Sequence, residues 1–309
     1  MKSQKLKESI LALGFDRLGI ASVGPHADHG RLEQWLQAGH AASMDWMDRS
    51  CEFRRDPALL LEGCRSVLLL SLNYHSSAEE APPQRGQGRI SRYARFRDYH
   101  KVMRSMLRRA TTLLREDHGA SLTKIAVDSA PLLERSLAAS AGLGWIGKNT
   151  MLIDEKLGSW TFLGAVLSDL DLEPDAPVPD RCGNCRACLD ACPTDAFPEA
   201  GVLDSRSCIS YLTIEHRGDI DAELAGKMGD RIFGCDLCQE VCPWNREVPQ
   251  TAVEDFQPRS GLQAPLLESL LAMNQESFLK SFAGTPLMRA GLERMQRNAR
   301  IALSNEEKI

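Results

Sequence analysis

Hydrophobic and polar positions along the first 175 residues predict both helices and strands. Residues 5–15, KLKESILALGF, have the 3.6-residue period of an amphipathic helix, whereas residues 16–23, DRLGIASV, and residues 64–74, CRSVLLLSLNY, predict strands. A further helix is predicted from Asp98 to Arg115, and residues 124–129, KIAVDS, predict a strand that ends near an aspartate. This region is therefore predicted to be an α/β domain.

A change of composition divides the rest of the chain. Residues 172–180, LEPDAPVPD, hold three prolines and three acidic residues, which is typical of a linker. From about residue 250 the chain is polar with helical periodicity, ending in RAGLERMQRNARIALSN. We predict three units: residues 1–175, residues 176–248 and residues 249–309.

Length and hydropathy limit the class of protein. A chain of 309 residues can bury a substantial core without disulfides. The first residues have no apolar stretch of signal-peptide length, and the longest apolar run, near Ser66 to Leu72, is too short to span a bilayer. We therefore expect a cytoplasmic protein with no membrane partner.

The net charge of −5 conceals a strongly basic segment. Residues 85–115 hold ten basic residues against the single acid Asp98, a net charge of +9 that leaves −14 for the remainder. The ten are Arg85, Arg89, Arg92, Arg95, Arg97, Lys101, Arg104, Arg108, Arg109 and Arg115. Such a segment suits the phosphates of an RNA, although a helix face paired with acids from other segments would have the same composition.

Eight of the ten cysteines lie between Cys182 and Cys242. Residues 182–193, CGNCRACLDACP, have the spacing C-x2-C-x2-C-x3-C-P, in which three cysteines hold one 4Fe-4S cluster and the fourth ligates a second cluster. Cys208 and the run C-x2-C-x3-C-P at 235–243 supply the remaining ligands. The crossing rule assigns Cys182, Cys185, Cys188 and Cys242 to one cluster and Cys192, Cys208, Cys235 and Cys238 to the other.

Two other interpretations of the cysteines are weaker. Zinc also binds C-x2-C pairs, but its sites more often use separate knuckles than two C-x2-C-x3-C-P runs. Cys51 and Cys64 lie outside the module and are expected to be small core residues.

Two short motifs resemble known sites without meeting their requirements. Residues 141–150, AGLGWIGKNT, contain both a G-x-G-x-x-G pattern and a partial P-loop. Both motifs need a strand before the loop and a helix after it, whereas here a helix-like segment precedes and a strand, NTMLI, follows. His100 lies in a sequence that approaches a cobalamin-binding D-x-H-x-x-G signature, but the glycine is missing, so we predict a helix-face residue.

The chain as a whole resembles the epoxyqueuosine reductase family. The resemblance is carried by RRDP at 54–57, RISRYARFRDYHKV at 89–102, KIAVDS at 124–129, GLGWIGKNT at 142–150, GSW at 158–160, SCISYLTIEHRG at 207–218 and GCDLCQEVCPWN at 234–245. HAASMDWM at 40–47 departs from a more glycine-rich stretch of the family. Longer members continue beyond NARIALSN into HEAT-like helical repeats, so we expect only truncated HEAT-like helices here.

This resemblance implies a cobalamin-dependent enzyme with two 4Fe-4S clusters, which reduces epoxyqueuosine to queuosine at the wobble position of tRNA. The implied substrate is a tRNA with a GUN-type anticodon, and the implied reductant is a protein of flavodoxin or ferredoxin type. It also implies a cobalamin-binding α/β domain followed by a ferredoxin-like module, and we expect a monomer.

The resemblance also implies site residues. Asp128 is the implied proton donor, which requires a raised pKa at neutral pH. The implied cobalamin contacts are Arg54, Arg55, Ser91, Asp128, Leu152, Leu163, Val166, Ser210, Cys235 and Asp236. The implied tRNA contacts are Arg135, Lys148, Asn149 and the basic segment 85–115, with Trp145 or Tyr99 stacking on the base.

Three rival functions remain open at this point. A reductive dehalogenase would use the same cofactors on a small organohalide, but it would usually carry a twin-arginine export signal and would not need the +9 segment. A ferredoxin-type electron carrier would bind no corrinoid. A zinc-stabilised RNA-binding protein would be colourless and would not respond to dithionite.

Overall fold

The computed structural model describes residues 2–76 and 83–307. The helices of four residues or more are α1 (Lys2–Leu11), α2 (His29–Gln37), α3 (Asp45–Arg49), α4 (Tyr99–Glu116), α5 (Glu134–Ser140), α6 (Ala187–Asp190), α7 (Ile209–Ile214), α8 (Ala222–Lys227), α9 (Leu237–Glu240), α10 (Leu267–Leu271), α11 (Gln275–Phe282) and α12 (Gly291–Glu306). The strands are β1 (Arg17–Ser22), β2 (Ser66–Asn73), β3 (Arg89–Ile90), β4 (Thr123–Ala126), β5 (Trp145–Ile146), β6 (Leu152–Ile153), β7 (Thr161–Ser168) and β8 (Arg231–Phe233). Short 3-10 helices include 52–54, 92–94 and 286–289.

A four-stranded sheet in the order β1-β2-β7-β4 forms the centre of the N-terminal region. All three pairings in this sheet are antiparallel. Strand β2 is buried at every position, as expected from its continuous apolar run. The mixed helix and strand content confirms the predicted class, but the sheet lacks the parallel strands whose carboxyl ends form the usual α/β ligand site.

Helices cover both faces of this sheet. Helix α4 packs on one face through Val102, Met103, Leu107, Ala110 and Leu114, which recur with helical spacing. The Asp98 carboxylate caps its first turn by accepting a hydrogen bond from the His100 backbone nitrogen at 3.0 Å. Helix α5 packs on the opposite face, so the sheet is buried between two helical layers.

A buried polar network joins the sheet region to the cysteine-rich module. The Ser159 backbone nitrogen donates to Asn245 Oδ1 at 2.7 Å, and the Ser159 hydroxyl donates to Gln239 Oε1 at 2.9 Å. Gly158 has a φ of +58°, and a Cβ atom there would lie 2.0 Å from Asn245 Oδ1. This close approach requires glycine in the GSW motif.

The C-terminal helices pack against the module and against the segment that follows β3. Strand β3 pairs in parallel with β8, and α12 covers this pair. Buried Asn298 of α12 donates to the carbonyl oxygens of Thr213 and Ile232 at 2.9 and 2.8 Å. The three-unit division and the HEAT-like character of these helices stay predictions. No helix in residues 2–76 or 83–307 has the length and apolarity needed to cross a membrane.

Candidate active site and cluster-binding module

A cavity of about 430 Å³ lies between the loop after β4 and the cysteine-rich module. Asp128, His100 and Tyr99 line one side, and Cys208 and Ser210 line the other. Further lining comes from Arg289 and Glu215, which form an ion pair of 2.5 Å between Nε and Oε1. The cavity therefore brings the predicted catalytic aspartate to the same space as a predicted cluster ligand.

Asp128 and His100 form a hydrogen-bonded pair in this cavity. Asp128 Oδ2 lies 3.1 Å from His100 Nε2, and His100 Nδ1 lies 2.7 Å from Asp98 Oδ1. The imidazole is thus held between two carboxylates. His100 lies in the first turn of α4, as predicted, and this face of the helix presents its imidazole to the cavity.

The pair determines where the proton resides. Burial alone would lower the pKa of His100, but the hydrogen bonds that its ring donates to Asp128 and Asp98 raise this pKa to about 9. The hydrogen bond to His100 lowers the pKa of Asp128 below its usual value, and this effect outweighs burial. The raised pKa expected for Asp128 is therefore wrong for this arrangement, in which His100 is the protonated member of the pair at neutral pH.

The thiols form two groups that affect each other's pKa values. Burial raises the pKa of Cys188, and its neighbours Cys242 and Cys182 raise it further. Cys242 also faces Cys185. Two tryptophans, Trp145 and Trp244, pack with Cys242 and Cys182 in one apolar cluster.

The second group contains the other four thiols. Burial is the main cause that raises the pKa of Cys208, and Cys192 contributes less. Burial is also the main cause that raises the pKa of Cys235 to about 12, and Cys208 raises it further. Cys238 faces Cys235 and Cys208, and also Cys188 of the first group. These neighbours agree with the crossing rule except for the Cys238–Cys188 interaction, and the assignment of ligands to each cluster stays a prediction. Within the described ranges, no three His, Cys, Asp or Glu side chains are grouped closely enough to hold a single metal ion.

Two of the implied cobalamin contacts carry buried polar atoms that lack a protein partner. Ser91 is buried, and its hydroxyl makes no hydrogen bond within the described residues. Arg54 donates from Nη1 to the Leu132 carbonyl oxygen at 3.0 Å, while its Nε atom has no partner there. Buried polar atoms are rarely left unpaired, so these two atoms fit a ligand with polar substituents, such as the amide-bearing edge of a corrin.

The aliphatic contacts divide between the two faces of the sheet. Leu163 packs with Leu152 on the face covered by α5. Val166 has no exposed surface and packs beneath α4 on the opposite face. Because side chains alternate along a strand, Leu163 and Val166 cannot touch one ligand, and Val166 is a core residue.

The remaining implied cobalamin contacts have different surroundings. Arg55 is exposed and forms an ion pair of 3.0 Å with Glu52. Asp236 is buried and accepts a hydrogen bond from the Arg92 backbone nitrogen at 2.8 Å, and burial raises its pKa to about 6. Ser210 lines the cavity, whereas Cys235 belongs to the second thiol group.

The residues proposed as tRNA contacts in the loop 147–150 face the cysteine runs instead. Lys148 Nζ donates to the carbonyl oxygens of Gly183 and Cys185 at 2.6 and 2.8 Å. Asn149 is buried and donates to the Cys238 carbonyl oxygen at 3.1 Å. These hydrogen bonds hold both C-x2-C loops, so Lys148 and Asn149 support the module, and their contact with tRNA stays a prediction. Arg135 is exposed and donates to the Thr150 carbonyl oxygen at 2.6 Å.

The basic segment separates into paired and unpaired residues. Arg89 pairs with Asp230, and Arg97 pairs with Asp255. The exposed basic residues of α4 form no ion pair with the described residues, and four of them lie on one helix face, which we call the α4 stripe. The α4 stripe consists of Lys101, Arg104, Arg108 and Arg115.

The aromatic residues proposed to stack on a base are mostly enclosed. Trp145 is buried, with its ring centroid 5.0 Å from that of Trp244. Tyr99 lines the cavity, but its ring already stacks on the rings of His100 and Phe162, with centroid distances of 4.0 and 4.1 Å. The exposed aromatic near the cavity is Trp46, 38% exposed, with the Arg289 guanidinium 5.9 Å from its ring centroid. Trp46 follows the stretch in which this chain departs from the glycine-rich pattern of the family, and sequence reasoning missed it as a functional residue.

Comparisons with known proteins identify the family. A family model described as epoxyqueuosine reductase QueG, DUF1730, matches residues 54–129, and a 4Fe-4S double cluster binding domain matches residues 181–245. The epoxyqueuosine reductase of Aliivibrio fischeri is 44% identical over 302 residues, covering 95% of this chain and 80% of the relative. The chain belongs to the epoxyqueuosine reductase family. This confirms the resemblance found in the sequence and favours iron-sulfur clusters over zinc.

Solved structures of epoxyqueuosine reductases have the same fold. One of them was determined with an epoxyqueuosine-modified tRNA-Tyr stem loop. It is 33% identical in sequence and superposes with a TM-score of 0.92, and the match covers 98% of this chain and 80% of that structure's chain. Another, from Bacillus subtilis, has a TM-score of 0.88 and 31% identity, with coverages of 98% and 81%. In that epoxyqueuosine reductase, a catalytic loop named for its aspartate is swung out of the active site.

Proposed function

We propose that this enzyme reduces epoxyqueuosine to queuosine at the wobble position of a tRNA with a GUN-type anticodon. The observation that carries this proposal is the shared cavity, in which the Asp128–His100 pair faces Cys208 of the cysteine module. A proton source and an electron route then meet at one substrate-sized space. Membership of the epoxyqueuosine reductase family supports this assignment.

The reaction requires two electrons and two protons. Removing the epoxide oxygen breaks two C–O bonds, forms a C=C bond and releases water. Cobalamin supplies a strongly reducing centre when bound, and the two 4Fe-4S clusters supply single electrons. The protein has to bind the substrate, exclude water and deliver both protons to the departing oxygen.

The Asp128–His100 pair is suited to deliver those protons one at a time, because it holds one transferable proton that solvent has to replace before the second transfer. His100 is protonated at neutral pH, and Asp128 accepts its hydrogen bond at 3.1 Å while facing the cavity. A proton moving from His100 to Asp128 makes the carboxyl a donor at the moment of transfer, and Asp98 stabilises the imidazolium on its other side. Asp128 is thus the proposed donor, and His100 recharges it.

The cysteine groups define an electron route through the module. We assign the eight cysteines as ligands in the two groups described above. We propose that the cluster held by Cys208 is the inner one, because Cys208 lines the cavity, and that the cluster held by the exposed Cys185 lies towards solvent. An external protein of flavodoxin or ferredoxin type would deliver electrons at the exposed cluster.

The proposed cobalamin contacts are those whose surroundings fit a polar macrocycle. Ser91 and Arg54 offer unpaired buried polar atoms, Leu152 and Leu163 offer an apolar wall, and Ser210 lines the cavity. For Arg55, Cys235 and Asp236, only the family resemblance supports a contact with cobalamin.

The proposed tRNA surface has two parts. The α4 stripe begins next to His100 and extends along the 18 residues of α4, which suits successive phosphates of an anticodon stem. Trp46 and Arg289 border the cavity with an exposed ring and a guanidinium plane, the groups on which RNA bases stack. Arg135 adds positive charge on the far side of Asp128. We propose that the enzyme acts as a monomer.

Mass spectrometry of the nucleoside tests the proposal. Anaerobically purified enzyme is mixed with cobalamin, dithionite and tRNA that carries epoxyqueuosine. We expect the modified nucleoside to lose one oxygen. An unchanged nucleoside, with clusters and corrinoid bound, would indicate a reductase of small molecules, and a protein that binds clusters but no corrinoid would indicate an electron carrier.

A further inference from the structure

The loop that carries Asp128, residues 127–133, is held by three charged side chains from outside it. Glu134 Oε1 accepts a hydrogen bond from the Asp128 backbone nitrogen at 2.9 Å. Arg104 donates to the Ser129 hydroxyl at 3.1 Å, and Arg54 donates to the Leu132 carbonyl oxygen at 3.0 Å. Of these contacts, only that of Glu134 reaches Asp128 itself.

The backbone at Asp128 needs such a contact. Its φ is +53°, in the left-handed region that residues other than glycine rarely adopt. The strand β4 ends at Ala126, so no sheet hydrogen bond fixes the Asp128 peptide. The hydrogen bond to Glu134 satisfies the Asp128 backbone N–H in this conformation and so helps to keep the carboxylate 3.1 Å from His100.

We propose that Glu134 is a positioning residue that holds the Asp128 loop in its inward, proton-delivering position. The role of Asp128 rests on the function proposed above, whereas the hold on the loop does not. In the epoxyqueuosine reductase from Bacillus subtilis, the loop that carries the catalytic aspartate has been observed swung out of the active site. The loop of that relative can therefore leave the active site. Glu134 would set the balance between such positions here.

The ionisation of Glu134 gives this contact a pH dependence. Burial, the largest cause, raises the pKa of Glu134 to about 7, the charge of Asp128 raises it as well, and Arg135 and Arg54 oppose the shift. These charged groups face the carboxyl from the loop, from α5 and from the 3-10 helix 52–54, and the phenol of Tyr99 faces it from α4. An ionised acceptor makes a stronger hydrogen bond than a neutral one, so the hold weakens as pH falls through about 7.

Hydrogen exchange in the full-length, cobalamin-free protein tests the hold directly. We compare Glu134→Ala, which removes the acceptor, with Glu134→Gln, which keeps a neutral carbonyl acceptor. At pH 8, where Glu134 is ionised, we expect the amides of residues 127–133 to exchange about tenfold faster in Glu134→Ala than in wild type, and at an intermediate rate in Glu134→Gln. Glu116→Ala, an exposed glutamate at the end of α4, is the control and should exchange like wild type.

The pH profile provides the second measurement and needs no unstable variant. After correction for intrinsic exchange, protection of the loop in wild type should decrease below pH about 7, and in Glu134→Gln it should not change. Wild-type exchange in Glu134→Ala would overturn the proposal, as would identical pH profiles for wild type and Glu134→Gln. In the loaded enzyme, Glu134→Ala should lower kcat and leave KM for tRNA unchanged. If the enzyme failed to reduce epoxyqueuosine-tRNA but Glu134→Ala still exchanged faster than wild type, the proposed function would be rejected. The proposed role of Glu134 in holding the loop would then still stand.

Discussion

Asp128 Oδ2 and His100 Nε2 lie 3.1 Å apart at the wall of the cavity, and this contact reverses the expected protonation of the site. The carboxyl has a lowered pKa and the imidazole has a pKa raised to about 9. The sequence suggested an acid activated by burial. The structure instead supplies an ionised aspartate that receives its proton from a histidinium.

The rate of epoxide reduction should therefore depend on His100. Below pH about 9 the imidazole is protonated, so the rate of a single turnover should stay high up to that pH and fall above it. The contribution of this pair to folding stability has the same sign: it is complete below the usual pKa of 6.5 and is lost as pH rises through about 9. Single-turnover rates between pH 6 and about 10 check this.

Replacing the histidine gives the matched variant. His100→Asn keeps a polar side chain but cannot hold the extra proton, so we expect a loss of about 100-fold or more at pH 7. Cobalamin binding, followed by its visible spectrum, should be unchanged. A His100→Asn enzyme with the wild-type rate and pH profile would exclude this proton route.

The two thiol groups predict which substitutions affect the same cluster. Cys242→Ala and Cys188→Ala should each deplete one cluster, and Cys208→Ala should deplete the other. Iron content and electron paramagnetic resonance of the reduced protein measure this, with Cys51→Ser as a control. If Cys242→Ala and Cys208→Ala abolished the same signal, the crossed assignment would be incorrect.

The α4 stripe should control the salt dependence of tRNA binding. Each of Lys101→Ala, Arg108→Ala and Arg115→Ala should weaken binding and reduce the slope of log Kd against log salt by up to about 1. Arg97→Ala, whose guanidinium is paired with Asp255, is the control and should change the slope less. Fluorescence anisotropy of a labelled anticodon stem loop at several salt concentrations measures both. Unchanged slopes for all the stripe variants would place the tRNA elsewhere.

Trp46 should contribute to binding without affecting the clusters. Loss of a stacked base costs about 1–3 kcal/mol, so Trp46→Ala should raise the Kd for the stem loop by about 5- to 150-fold. Phe53 is 50% exposed but, unlike Trp46, has no cavity-lining guanidinium of the described residues over its ring, so Phe53→Ala should bind like wild type. Equal affinities for wild type and Trp46→Ala would leave Trp46 without a role in RNA recognition.

Local patterns were sufficient to predict the main elements. The apolar run at β2 predicted a buried strand, and Asp98 at the start of a periodic segment predicted the position of α4. The cysteine spacing predicted both thiol groups, because cluster ligation constrains ligand spacing closely. The order of elements around AGLGWIGKNT excluded a P-loop, and α5 does precede this loop.

Features that depend on distant contacts could not be predicted. The antiparallel sheet depends on connections that periodicity does not reveal, and the opposite orientations of Leu163 and Val166 required the exact register of β7. Lys148 and Asn149 belong to a motif of the family, but only the structure shows that they donate to carbonyl oxygens of the cysteine loops. The pKa of Asp128 depends on His100, which lies 28 residues away in sequence.

Conversion of epoxyqueuosine-tRNA by wild type and Asp128→Asn, measured side by side, tests the central claim most directly. We predict that wild type removes one oxygen from the nucleoside. Asp128→Asn should bind cobalamin, both clusters and tRNA but produce no queuosine within the same time. Queuosine formed at the wild-type rate by Asp128→Asn would contradict the account.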